Sequence, residues 1–210
     1  QKAQQLLSNA PLIDPFEMKE MARAVAVIRQ ALQEQKKIAV FGDYDVDGIT
    51  ATCLLTDFLR SCGGRCISYI PGRLEEGYGL NEIAIRQLWQ EGVKLIVTVD
   101  CGITAIDEAR LCKELGIDLV ITDHHECKES LPEAVAVIDP HRPDGGYPHK
   151  DLSGVGVAFK LAQALLGIDR CTDFLDLAAL ATVADIVPLQ DENRVIVSNI
   201  AGTTRDSIDT

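Results

Sequence analysis

Five short aliphatic runs mark the chain at 37–42, 66–70, 94–99, 118–122 and 135–138. The clearest are Ile38-Ala39-Val40-Phe41, Leu95-Ile96-Val97-Thr98-Val99, Leu119-Val120-Ile121-Thr122 and Val135-Ala136-Val137-Ile138. These near-continuous aliphatic runs predict strands covered on both faces. Helical segments at about 48–61, 81–91 and 104–115 alternate with them. Parallel neighbours need a long crossover, and a helix supplies it, so the alternation predicts an α/β fold: a parallel β-sheet with helices on both faces. Residues 16–35 predict an amphipathic helix ahead of the sheet, because Met18, Met21, Ala22, Val25, Ile28 and Leu32 recur at spacings of three and four. After a Pro/Gly/His-rich loop at 139–150 the pattern turns helical. One helix opens at Ser153-Gly154-Val155-Gly156 and runs to about Leu166, and another covers about 172–184. The expected division is an N-terminal helical segment (1–36), one lobe (37–191) and a tail (192–210).

The 210 residues are 47% apolar, enough for a sizeable core. No apolar run reaches the ~18–20 residues of a membrane span, and Gln1-Lys2-Ala3-Gln4-Gln5 has no signal-peptide pattern. Seven cysteines, an odd number without a Cys-x-x-Cys pair, point to reduced thiols in the cytoplasm rather than to a disulfide framework or zinc knuckle. The net charge of −12 disfavours a free-standing nucleic-acid binder, which carries a basic patch. A nuclease stays open, because bound divalent cations would reverse the local field of an acidic site.

Much of that acidity is concentrated beside the aliphatic runs. Asp43-Tyr44-Asp45-Val46-Asp47-Gly48 follows the first, Asp100 the third and Asp123-His124-His125 the fourth; Asp185 lies in the apolar stretch Ala181–Pro188. In open α/β sheets ligands bind beyond the carboxyl ends of the strands. Carboxylates and imidazoles converging there suggest divalent metals and phosphoryl chemistry. Asp43-x-Asp45-x-Asp47-Gly48 begins like a calcium-binding EF-hand loop, but position 12 of that loop must be Glu and here it is Leu54. Asp45-Val46-Asp47-Gly48 also resembles the nucleophile motif of haloacid-dehalogenase phosphatases, and a polar turn is the plain alternative. Three alternating carboxylates repel one another unless a positive charge sits between them. Asp185, expected to be buried, needs a partner, and a metal is one candidate. The Ser153–Gly156 helix start has free N–H groups that suit a phosphate or serve as an ordinary cap. Arg73 with the Gly77/Gly79 loop is either a phosphate clamp or a surface loop. His141 and His149 are expected at the surface.

Taken in order, these strings resemble the DHH phosphoesterase superfamily, and within it the single-strand-specific exonuclease branch. The motifs carrying the resemblance are Val40–Gly48, Arg73–Leu80, Thr98–Gly102, Asp123-His124-His125, Ser153–Lys160 and Ala184–Leu189. The resemblance implies a two-metal site for Mn2+ or Mg2+. One ion would be held by Asp43, Asp45 and Asp100, the other by Asp47, Asp100, His124 and Asp185, with Asp100 shared. Asp45, Asp47, Asp100, His124 and His125 would be catalytic. His125 would face the scissile phosphate, with Arg73, Ser153 and Gly154 as further phosphate contacts. The implied activity is hydrolysis of single-stranded DNA from its 5′ end. Short oligonucleotides or cyclic dinucleotides, or an inactive scaffold, are the alternatives. The implied partners are single-stranded DNA, single-strand-binding protein and a helicase, with no membrane, for a cytoplasmic monomer. The second lobe and OB-fold of that branch are not expected in this chain. Residues 192–210 resemble instead the switch I segment of tandem-domain ribosome-assembly GTPases. Without a phosphate loop GTP binding is not expected, and the segment is expected to be a disordered tail.

Overall fold

The computed structural model describes residues 12–72, 79–168, 171, 174–188 and 196–197. A short 3-10 turn (Pro15–Glu17) leads into helix α1 (Met21–Gln33). Then follow β1 (Lys37–Phe41), α2 (Val46–Ser61), β2 (Arg65–Tyr69), α3 (Glu82–Gln90), β3 (Val93–Thr98), α4 (Ile106–Glu114), β4 (Asp118–Thr122), β5 (Ala136–Ile138), α5 (Gly154–Leu166) and α6 (Leu175–Ala184). The strands form one parallel sheet in the order β2-β1-β3-β4-β5.

Residues 16–35 are thus a turn followed by a helix, not one helix. Asp14 caps the turn by accepting from the Phe16 N–H at 2.9 Å, and Glu20 breaks the helical path with φ 63°. That left-handed bend directs Glu20 to β5, where its Oε2 accepts from the Val137 N–H at 2.8 Å. Arg142 reaches the same edge strand: its buried guanidinium donates to the Val137 carbonyl at 2.6 Å and pairs with Glu20 at 3.0 Å and Asp144 at 3.0 Å. Side chains therefore cover the edge backbone of β5, which would otherwise invite a further strand.

Alternate strand residues feed two cores, as the pleat requires. Ile38, Val40, Leu95, Val97, Val120, Ala136 and Ile138 pack against α1, α2, α5 and α6. Ala39, Phe41, Ile96, Leu119, Ile121 and Val137 pack against α3 and α4. Lys160 is fully buried in α5, and its Nζ donates to the Ile13 carbonyl and to Gln163 Oε1, fastening the segment ahead of α1. Ile196 and Val197 are helical and buried in the first core, so at those two positions the chain is packed rather than free. The rest of the tail expected at 192–210 lies outside the described residues. Among the described residues no helix is long and apolar enough to cross a membrane.

The strand order fixes where a site can form. From β1 the chain crosses to β2 on one side, and from β2 it passes over β1 to β3 on the other. The carboxyl ends of β1 and β3 thus flank the reversal point, where the two neighbouring loops diverge and leave a crevice. Asp43 and Asp100 stand at those two ends.

Candidate metal centre

Three glycines let the elements close around this crevice. A Cβ on Gly42 would fall 1.8 Å from Thr52 Oγ1, so only glycine lets β1 run so close to α2. A Cβ on Gly48 would lie 2.7 Å from Asp43, and one on Gly154 only 2.4 Å from Asp100 Oδ1. The first turn of α2 and the start of α5 are therefore pressed directly onto carboxylates.

Asp45 is the N-cap of α2, its Oδ1 accepting from the Gly48 N–H at 2.8 Å. Asp43 is buried beside it, with Oδ1 accepting from the Tyr44 N–H at 2.7 Å. Asp47 points across to α5. Its Oδ2 accepts from the Gly154 N–H at 2.6 Å and its Oδ1 from the Val155 N–H at 2.8 Å. The positive end of the α5 dipole suits this carboxylate. Burial still raises Asp47 to about 6, against the pull of the Val155 and Gly154 N–H groups and of His124.

Asp100 occupies a left-handed backbone conformation, φ 59°, which is unfavourable for a residue with a Cβ by ~1–3 kcal/mol. The strand ladder delivers it there: the Val99 N–H donates to the Phe41 carbonyl at 2.8 Å, and Gly102 (φ 110°) turns the chain away. Its carboxylate is buried, and burial raises it to about 7. His124 Nε2 lies 3.1 Å from Asp100 Oδ1 and 3.8 Å from Asp47 Oδ2. The approach to Asp100 is close enough for ion pairing but off the line of a hydrogen bond, so Oδ1 is a buried oxygen without a hydrogen-bond donor. Burial alone would lower His124, but Asp100 and then Asp47 raise it to about 9. The two carboxylates thus favour the protonated form of the His124 ring.

Ligand atoms converge in three groups, each with all atoms within 4.8 Å of one another: Asp43, Asp45 and Asp100; Asp47, His124 and Asp185; and Asp100, His124 and His125. Asp100 belongs to two of these groups and His124 to two, and hard oxygen donors with one or two imidazoles suit Mn2+ or Mg2+. The donor set therefore fits divalent cations. The sequence-predicted ligands Asp43, Asp45, Asp47, Asp100, His124 and Asp185 are brought together in this one place.

Asp185 arrives there differently from the expectation. It is the exposed C-cap of α6, at a helix end, not a buried residue. Ser153 and Gly154 also need correction. The Gly154 N–H is occupied by Asp47, and the Ser153 hydroxyl is buried, accepting from the Gly156 N–H at 3.3 Å and lying 3.4 Å from Thr182 Oγ1. The helix start holds an internal carboxylate in place of the phosphate expected there. Arg73 and Gly77 lie outside the described residues. His149 is buried and His141 partly so, not at the surface as expected.

Sequence reasoning placed Asp123 in its cluster without giving it a role. Its Oδ2 accepts from the Ile103 N–H at 2.9 Å. Its Oδ1 accepts from the N–H groups of His124 at 2.8 Å and His125 at 3.2 Å, and lies 2.7 Å from His125 Nδ1. Burial alone would raise this carboxyl, but the His125 bond and the backbone donors hold it below its ordinary value. In turn the bond to Asp123 raises His125. The pair fixes the ring with Nδ1 inward and leaves the half-exposed His125 facing the crevice with Nε2. The Asp-x-His spacing was the available signal.

Residues 37–182 match the DHH family, N-terminal domain. The single-stranded-DNA-specific exonuclease RecJ of Bacillus subtilis is 50% identical over 190 residues, covering 90% of this chain and 24% of that protein. The RecJ of Thermus thermophilus is 40% identical over 184 residues, covering 86% of this chain and 27% of that protein. This chain therefore spans about a quarter of the length of those relatives. The crystal structure of exonuclease RecJ bound to manganese is similar with a TM-score of 0.78 and 37% identity, over 92% of this chain and 48% of that one. With a five-stranded parallel sheet and an Asp-His-His turn inside the matched span, the chain belongs to the DHH family.

Proposed function

We propose that this chain is the metal-binding catalytic lobe of an exonuclease that hydrolyses single-stranded DNA from its 5′ end with two Mn2+ or Mg2+ ions. The observation that carries the reading is the convergence of carboxylate and imidazole atoms of Asp43, Asp45, Asp47, Asp100, His124 and Asp185 at one crevice. The relatives support the substrate class, being named single-stranded-DNA-specific exonucleases, and RecJ structures hold Mn2+ or Mg2+. Asp43, Asp45 and Asp100 would hold one ion; Asp47, His124 and Asp185, with Asp100, would hold the other. The bound ions would supply Lewis acidity at the phosphodiester and a nucleophile from water at neutral pH. The protein's own part is orientation and proton placement. Asp123 fixes the His125 ring through Nδ1, which leaves Nε2 to meet a phosphoryl oxygen. The α5 N-terminus holds Asp47 in register, and Gly154 keeps the Asp100 carboxylate reachable.

The natural setting is DNA repair and recombination in the cytoplasm, alongside single-strand-binding protein and a helicase, with the chain a monomer. Seven free cysteines agree with a reducing compartment. The test is hydrolysis of end-labelled single strands, duplexes and dinucleotides in Mn2+. Mononucleotides released from single strands at the 5′ end, with duplex spared, are expected. Turnover of dinucleotides alone would replace this reading with that of a small-substrate phosphodiesterase.

A further inference from the structure

The Asp123–His125 arrangement is repeated on the neighbouring strand. Asp123 follows β4 and Asp139 follows β5; Thr122 and Ile138 are register partners, and the Asp123 N–H donates to the Ile138 carbonyl at 3.0 Å. In each case a histidine stands two residues on, and its backbone N–H donates to Oδ1 of the aspartate: His125 to Asp123 at 3.2 Å, His141 to Asp139 at 2.7 Å. In each case the ring also turns Nδ1 toward that oxygen, at 2.7 Å for His125 and 3.7 Å for His141. The second unit differs in being incomplete. The Asp139 side chain is 0% exposed, yet its Oδ2 has no hydrogen-bond partner, and neither has the buried Nδ1 of His141. Two orphaned polar atoms side by side are costly unless a further group completes them. A ring shift on the order of 1 Å would bring Nδ1 within hydrogen-bonding range. The His141 side chain is 21% exposed while its Nδ1 is buried, so the accessible side of the ring carries Nε2. Arg142, next in sequence, is anchored to the Val137 carbonyl and to Glu20, which holds the turn rigid.

We propose that Asp139 and His141 form a second Asp–x–His unit, and that His141 binds the phosphodiester next to the one at the metal centre. The inference rests on the phosphodiester substrate proposed above. Neighbouring strands lie about 4.8 Å apart, so the two histidines follow adjacent strands, side by side at the carboxyl ends of the sheet. Asp139 lies behind Nδ1, which leaves Nε2 as the ring atom that a phosphate would meet. His141 is a positioning residue. It steadies the strand and takes no part in bond cleavage.

The test uses Mn2+-loaded protein and two probes: a fluorescent phosphorothioate oligothymidylate, followed by anisotropy, and bis(p-nitrophenyl) phosphate, a single phosphodiester, followed by colour. His141→Ala should weaken oligonucleotide binding about tenfold. It should leave reporter hydrolysis and the melting temperature unchanged. His141→Lys, which places an N–H donor at that edge, should recover binding to within about threefold. The proposal is overturned if His141→Ala binds as tightly as the parent, if Lys loses as much as Ala, or if the parent does not bind the oligonucleotide. Binding by the parent with the His141→Ala loss present, but with no release of mononucleotides from an end-labelled phosphodiester strand in Mn2+, would sink the exonuclease reading and leave this contact standing.

Discussion

Asp100 combines a left-handed backbone with a buried carboxylate faced by the His124 ring at 3.1 Å, and burying that charge costs stability unless a cation offsets it. Its neighbours share the consequence. In the unfolded chain Asp47 and Asp100 titrate near 4, but in the fold at about 6 and about 7. The folded state therefore holds more protons between about pH 4 and 7, and stability falls as pH rises through that window. His124 at about 9 against an ordinary value near 6.5 adds a second loss, between about pH 6.5 and 9. Asp123, held low, loses its contribution only when pH falls below about 4. Metal-free protein should thus melt at a higher temperature at pH 5.5 than at pH 8.5, and Mn2+ should reverse that order. A metal-free melting curve that is flat or rises with pH would refute the electrostatic account. Because His124 must give up its proton to become a ligand, Mn2+ affinity should rise about tenfold per pH unit for each proton displaced between pH 7 and 9, as titration calorimetry would show.

At the level of elements, the strands were legible because each is a local aliphatic run, and the acidic residues at their ends were legible because they follow directly in sequence. What was hidden is what depends on distant contacts. The partners of Asp47 at Gly154 and Val155 lie more than a hundred residues away in the chain, so the α5 start read as a phosphate site or an ordinary cap, and its role as a carboxylate site was hidden. Asp185 read as buried because its neighbours are apolar, whereas it closes a helix at the crevice rim. The Glu20 bend is invisible to helical periodicity, since its cause is the unpaired edge of β5. Two substitutions test these element contacts. Gly154→Ala would drive a methyl group to 2.4 Å from Asp100 Oδ1. It should cost about 1–3 kcal/mol in chemical unfolding and weaken Mn2+ binding. Arg142→Ala would leave the Val137 carbonyl without its donor and Glu20 without its ion pair. It should destabilise by about 2 kcal/mol while leaving Mn2+ affinity unchanged. Loss of metal binding in Arg142→Ala would show that the edge of β5 and the metal centre are not independent.

On the scale of the whole molecule, a sheet whose order reverses between β1 and β3 brings to one crevice ligands from β1, α2, β3, the turn after β4 and the end of α6. The strongly acidic balance of the chain makes sense as the charge of a site built for cations more than as a nucleic-acid surface. The account depends on Asp100 being shared by two ions. Calorimetric titration of Mn2+ into metal-free protein, Asp100→Ala and His125→Ala, each checked for fold by circular dichroism, tests this most directly. The parent should bind two ions at micromolar affinity or better, Asp100→Ala should lose both, and His125→Ala should keep both. No binding by the parent, or equal losses in the two variants, would contradict it.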